Sequence, residues 1–116
     1  MDRHQKGING ELIAERFLKN NGYHIVAHNY RCRFGEIDLI AENDEFLIFI
    51  EVKYRRSDTM GLPEESVTIQ KQRRICQCAL FYLADHPLKE RSVRFDVISI
   101  LGDKITHFKH AFEFHQ

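Results

Sequence analysis

Two acids and a lysine interrupt otherwise apolar segments of this chain: Asp38 in Ile37-Asp38-Leu39-Ile40-Ala41, and Glu51 and Lys53 just after Phe46-Leu47-Ile48-Phe49-Ile50. Carboxylates that converge on an apolar-walled site repel each other and lose hydration, so they stay ionised only where a cation or hydrogen-bond donors compensate. A hard divalent ion is the simplest compensation. One or two carboxylates plus waters suit Mg²⁺ or Mn²⁺, whereas zinc favours His or Cys. A lysine beside such an ion can orient or deprotonate an attacking water, or neutralise charge developing on a phosphoryl oxygen. This is the chemistry of metal-assisted phosphodiester hydrolysis.

Positioning these groups falls to two strands. The unbroken apolar run from Phe46 reads as a central strand covered on both faces. Glu42-Asn43-Asp44-Glu45 is short, polar and rich in turn formers, so the segments before and after it read as an antiparallel hairpin. A turn centred on Asn43-Asp44 sets Ala41 opposite Phe46 and Asp38 opposite Phe49. Alternation then puts Asp38, Glu51 and Lys53 on one face. Asp38 and Glu51 become diagonal neighbours, with Cβ atoms roughly 7–8 Å apart or a little less, close enough to reach one cation between them. An odd-length loop would turn Asp38 to the other face.

At this point the residues resemble a known signature. Asp38, a twelve-residue gap and Glu51-Val52-Lys53 look like the active-site motif of the PD-(D/E)xK nuclease superfamily, whose fold is restriction-endonuclease-like. A closer likeness covers nearly the whole chain. Gly10-Glu11 with Ala14, Gly22-Tyr23, Asn29, Arg31, Gly35-Glu36-Ile37-Asp38-Leu39-Ile40-Ala41, Glu51-Val52-Lys53, Lys71 and Arg94-Phe95-Asp96-Val97 together resemble the bacterial YraN-type family, UPF0102, which is similar to Holliday junction resolvases. The resemblance implies that Asp38 and Glu51 bind metal, that the Val52 carbonyl is a backbone ligand, and that Lys53 is the catalytic lysine. In the resolvase branch an acid on the first helix completes the site, and Glu11 is the matching position. Ile37 stands where the superfamily's name places a proline, the one visible departure.

The flanking segments agree with that architecture. Residues 9 to 20 have helical spacing, with Ala14, Phe17 and Leu18 as an apolar stripe, Asn9 as a cap and Asn21-Gly22 as the stop. Glu11 shares the inward face of Ala14 and Leu18 near the first turn, where it leans over the end of a sheet; its plain alternative is an acid favoured by the helix dipole. Tyr23 to Tyr30 reads as a first strand. Thr68 caps a helix reaching about Ala84, with Ile69, Cys76, Ala79, Leu80 and Leu83 on its buried face and Pro87 beyond its end. Val93 to Leu101 reads as a strand, Gly102-Asp103 as a turn, and Ile105 onward as a short strand or irregular tail. Tyr54 to Pro63 has no apolar period and reads as a loop beside the site. The predicted fold class is therefore α/β, an αβββαβ core of the restriction-endonuclease-like kind, with a mixed sheet flanked by helices.

Composition bounds the rest. At 116 residues, 43% hydrophobic and without a Pro-, Gly- or Ser-rich linker, residues 1–116 are expected to form one domain around a single core. No apolar run approaches membrane-spanning length and none near the amino terminus suits a signal peptide, so a cytoplasmic protein is expected. Seventeen basic residues balance seventeen acidic ones, which excludes a protein coated in positive field. Distribution matters more. Arg31 and Arg33 precede the Asp38 strand, Arg55 and Arg56 follow Lys53, and Lys71, Arg73 and Arg74 open the long helix, so a basic rim around an acidic centre is expected to hold DNA phosphates, with Arg73 and Arg74 the closest to ordinary solvated charges.

Other residues carry less. Cys76 and Cys78 point about 200° apart on a helix and Cys32 has no neighbour in sequence, so the three cysteines read as structural thiols. His107 and His110 fall on opposite faces of a strand, and Asp96 reads as the partner of a basic neighbour. The function expected is a Mg²⁺- or Mn²⁺-dependent nuclease acting on DNA, branched or otherwise structured, with Asp38, Glu51 and Glu11 on the metal and a homodimer implied by the resolvase likeness. Two alternatives stay open: a nucleic-acid-binding module with this fold but little hydrolysis, and a structural domain in which Glu51 and Lys53 form an ion pair at a strand end.

Overall fold

The structure, a computed structural model, describes residues 3–55 and 67–116, with side chains from Gly10 onward. Helix α1 (Arg3–Asn20) leads into three strands, β1 (His24–Cys32), β2 (Gly35–Glu42) and β3 (Phe46–Arg55). Helix α2 (Ile69–Asp85), β4 (Ser92–Leu101) and β5 (Lys104–Phe112) follow. The five strands form one sheet in the order β1-β2-β3-β4-β5. Only β3 and β4 run parallel, joined across α2, and every other neighbour is antiparallel. The result is an α/β fold with a mixed sheet between two helices, compatible with a restriction-endonuclease-like core.

Each helix covers one face. Ala14 and Leu18 of α1 pack on Leu39, Ala41, Ile48, Ile50, Ile98 and Ile100, while Ile75, Cys76, Ala79 and Tyr82 of α2 pack on Ile40, Leu47, Phe49, Phe95 and Val97. Apolar burial on both sides explains why β3 reads as an unbroken hydrophobic run. On α2, Thr68 caps as expected, its Oγ1 accepting the Lys71 N–H at 3.2 Å. Ile69 and Leu80, expected to be buried, are exposed instead, and Ile75, Cys78 and Tyr82 line the inner face. The first helix starts earlier than its apolar stripe, at Arg3, so Asn9 lies inside it rather than at its start.

The hairpin register differs from the expected one by two residues: Ala41 pairs with Ile48, Ile40 with Phe49 and Leu39 with Ile50. Asn43 is the cause. Its Oδ1 accepts the backbone N–H groups of Glu45 (3.0 Å) and Phe46 (2.8 Å), and its own N–H donates to the Phe46 carbonyl at 3.0 Å. This closed turn sets Phe46 opposite Asn43 rather than opposite Ala41. A slip of two keeps every side chain on its face, and continuing the register by one residue brings Asp38 directly opposite Glu51.

Regular pairing of β2 with β3 ends there, at Leu39 and Ile50, although both strands run on. From Ile37 back to Gly35, β2 stays with β1. In β1 the left-handed Asn29 (φ 49°) leaves His28 and Asn29 both exposed and reverses the alternation. Tyr30 and Cys32 therefore join Ala27 on the α2 side. Cys32 meets Cys78 there, and burial together with that neighbouring thiol pushes Cys78 up to about 12. Both remain free thiols. The segment after Leu101 is a full strand rather than a tail. The Tyr54-to-Pro63 loop falls, from residue 56 onward, outside the described residues.

Candidate active site

Where the two strands part, Asp38 occupies the gap. Its Oδ2 accepts the Val52 N–H at 2.8 Å, so a side chain takes the place of a ladder carbonyl. Glu51, 7% exposed, lies within hydrogen-bonding reach of the same carboxyl group. Burial, then the Glu51 charge and then that of Glu11, raise Asp38 to about 8 against the pull of the Val52 N–H. Two acids this close and this dry cannot both ionise without help. Glu11 enters from α1 on the other face, near enough for its charge to act on Asp38.

The compensation present is a pair of lysines. Glu51 Oε1 is 2.5 Å from Lys71 Nζ and 3.4 Å from Lys53 Nζ, and the two ammonium groups also touch each other. Burial and the neighbouring Lys71 pull Lys53 below its usual range, with Glu51 opposing. For Lys71 burial acts in the same direction, yet the Glu51 charge and hydrogen bond outweigh it and hold the group above its usual range. Lys71 takes the shorter contact and the larger share of Glu51.

Asp38, Glu51 and Lys71 stand at the wall of an open cavity of about 500 Å³ whose lining also includes Thr68, Gln70 and Arg74. Arg74, read from sequence as an ordinary solvated charge, lines this space; its place three residues after Lys71 was the available signal. The other basic residues are dispersed. Arg31 pairs with Glu36 at the surface (3.0 Å), and Arg33 stacks over Phe34 and Phe81. Arg55 is the last residue of β3, its carbonyl accepting the Gly102 N–H, and Arg56 lies outside the described residues. Lys53 and Lys71 both contact Glu51, and Arg74 lines the cavity beside Lys71.

A magnesium-sized ion fits this donor set in kind. Asp38 and Glu51 supply hard oxygen ligands, the Val52 backbone adjoins them, and the cavity is open to water. Among the described residues no three His, Cys, Asp or Glu side chains gather tightly enough to form a metal cage, and the charge of Glu11 acts on Asp38. One or two carboxylates plus waters are the usual holders of Mg²⁺, whereas zinc favours His or Cys.

A second acid of the same sheet is built differently. Asp96 is wholly buried and receives Arg94 Nε at 2.9 and 3.1 Å, Arg94 Nη2 at 2.8 Å, His107 Nε2 at 2.6 Å and the His110 N–H at 3.2 Å. Arg94 also donates to the Tyr23 hydroxyl at 2.9 Å and lies over the Phe46 ring. Burial pushes Asp96 up, but the His107 and Arg94 hydrogen bonds, the guanidinium charge and the His110 N–H together hold it below its usual range. His107 and His110, expected on opposite faces, both serve this acid, because the left-handed His110 (φ 54°) sits in a bulge of β5 and turns its N–H inward.

The model of the family described as "Uncharacterised protein family UPF0102" matches residues 10–100, a span that runs from Gly10 through the hairpin and α2 to β4. The chain belongs to UPF0102. A UPF0102 protein of Lachnoclostridium phytofermentans is 46% identical over 97% of this chain and 97% of its own length. Others from Persephonella marina (45% identical, 93% of each chain) and Myxococcus xanthus (46%, 87% of this chain and 80% of the relative) are similar. A solved structure, "Crystal structure of SSO0001", overlays 86% of this chain and 48% of that one at 22% identity and a TM-score of 0.43, too loosely to bear on the site. The UPF0102 match spans Glu11, Asp38, Glu51, Val52, Lys53 and Lys71. No described helix is long and apolar enough to cross a membrane.

Proposed function

We infer that this UPF0102 protein is a divalent-metal-dependent DNA endonuclease, and the observation that carries the reading is the Asp38–Glu51 pair at the strand fork, facing an open cavity with two lysines beside it. An acid held against ionisation beside a second carboxylate, as Asp38 is, is poised to exchange a proton for a cation. Asp38 and Glu51, with the Val52 carbonyl, would hold Mg²⁺ or Mn²⁺, while Glu11 adds negative charge behind Asp38. The bound ion supplies a lowered pKa for its water and Lewis-acid polarisation of a phosphoryl oxygen. Lys53, drawn below its usual range, orients the attacking water or accepts its proton. Lys71 and Arg74 line the cavity on the side from which a phosphodiester enters, where they neutralise its backbone charge.

Branched or otherwise structured DNA is the substrate class that the resolvase likeness favours. A four-way junction offers two equivalent strands, so a homodimer is the matching assembly. The test incubates purified protein with duplex, single-stranded, flap and four-way-junction DNA, with Mn²⁺ or EDTA, beside Asp38→Ala. Cleavage is expected to require the metal and to vanish in Asp38→Ala, Glu51→Ala and Lys53→Ala without loss of fold. No cutting on any substrate favours the second reading, a nucleic-acid-binding module in which the lysines already neutralise Glu51; its mark is DNA binding that survives or tightens in Asp38→Ala.

A further inference from the structure

Lys71 and Lys53 both meet Glu51, but they are held in unlike ways. Lys53 belongs to β3, two residues along the same strand, and its side chain is 21% exposed. Lys71 comes from the first turn of α2 across the sheet face; its side chain is 37% exposed and lines the open cavity with Thr68, Gln70 and Arg74. A four-carbon stem on a helix beside open space lets this ammonium leave Glu51 without any backbone movement. It also occupies the oxygen that a metal needs. Mg²⁺ binds carboxylate oxygen at about 2.0–2.1 Å, and an ammonium 2.5 Å from Glu51 Oε1 both covers a lone-pair direction and repels a second cation at close range.

We propose that Lys71 is an exchangeable stand-in for the metal: it holds Glu51 while substrate is absent and passes to an incoming phosphodiester, so that metal and DNA load the site cooperatively. The proposal rests on the metal-binding reading of Asp38 and Glu51 and adds the order of events at that site. The phosphate that enters the cavity offers Lys71 a second anion of equal charge, with Arg74 on the same wall. Once Lys71 moves to the phosphate, Glu51 Oε1 is open to the divalent ion. No bond is made or broken, only ion-pair partners change. Because coupling between two ligands is reciprocal, DNA must tighten metal binding by the same factor as metal tightens DNA binding. Lys71 is thus a positioning residue that acts through Glu51, and its removal should strengthen metal binding, the opposite of what loss of a supporting contact does.

The test counts free Mn²⁺ by electron paramagnetic resonance in titrations of wild type, Lys71→Met, Lys71→Arg and Asp38→Asn. Each is run with and without a short duplex whose phosphorothioate linkages resist cleavage. Circular dichroism confirms that each variant is folded. Wild type is expected to bind Mn²⁺ about tenfold more tightly when the duplex is present, within the usual range for coupled sites. Lys71→Met, which keeps the length of the side chain and removes its charge, should bind Mn²⁺ about tenfold more tightly than wild type without DNA and gain little when DNA is added. Lys71→Arg keeps the charge and should behave like wild type, with weak binding that DNA strengthens. Mn²⁺ affinity that is unchanged or weaker in folded Lys71→Met overturns the exchange while leaving the metal site standing. If neither wild type nor Lys71→Met binds Mn²⁺, or if Asp38→Asn binds it as well as wild type, the metal reading fails and the exchange with it.

Discussion

Asp38 on β2 and Asp96 on β4 are acids of one sheet with opposite fates. Asp96 is enclosed by Arg94, His107 and the His110 N–H, and its charge is stabilised below the usual carboxylate range. Asp38 has one backbone donor, two acidic neighbours and an open cavity, and it is driven up to about 8. Both lie in a sheet apolar on each face, Asp96 fully buried and Asp38 partly so. The difference is the company each keeps. A buried acid whose surroundings already neutralise it is part of the scaffold, whereas one whose surroundings repel it awaits something from outside.

The contrast is open to attack at three strengths. Asp96→Ala is expected to cost about 3–5 kcal/mol, because it strands Arg94 without its counter-charge in a dry site. Urea unfolding measures this, and Mg²⁺ should not restore it. Replacing Arg94 and Asp96 together by leucine should cost less than the two single changes summed. Equal, additive losses would mean that the pair is not one unit.

A smaller effect follows from pH. For Asp38 the folded value lies above the unfolded one, so its contribution to stability is fully present below about pH 4 and is lost as pH rises through about 8. Asp96 has the reverse sign: its contribution is present above the ordinary carboxylate range and is lost as pH falls through its lower folded value. Asp38→Asn should therefore melt several degrees above wild type at pH 8.5, each 1 kcal/mol being worth about 4 °C at this size, and match it near pH 4. Thermal melts across that range decide the matter; a variant that is less stable at alkaline pH would place Asp38 in the scaffold with Asp96.

The smallest effect is expected at Arg31. Its pairing with Glu36 is exposed, so Arg31→Ala should change stability by less than about 1 kcal/mol. If Arg31 touches phosphate, the same change lowers the salt dependence of DNA binding by about one charge. An unaltered slope would remove Arg31 from the set of phosphate contacts.

Sequence reading reached the hairpin, the shared face of Asp38, Glu51 and Lys53, and the approach of Glu11, because period-two alternation fixes parity even when register slips by two. The slip itself was hidden. It depends on the Asn43 side chain closing a turn with two backbone N–H groups, a local hydrogen-bond choice that competes with several others of similar composition. Lys71 against Glu51 and Arg74 on the cavity wall depend on how α2 is laid across the sheet. That placement is set by the summed packing of Ile75, Ala79 and Tyr82 on Phe49 and Phe95, which no local pattern spells out. The meeting of His107 and His110 at Asp96 was obscured for a different reason: a left-handed residue broke the alternation on which the expectation relied.

Gly10 sets a limit on all of this. A Cβ at that position would lie 3.2 Å from Tyr54 Cβ and 3.4 Å from its Cδ2, inside ordinary carbon contact. The seat of α1 on β3 is thus gauged by the width of one hydrogen atom, and Glu11 rides on the next residue. A methyl group inserted there acts as a shim. It would lift the helix by a fraction of an ångström and relax the crowding of negative charge behind Asp38 while every acid kept its identity.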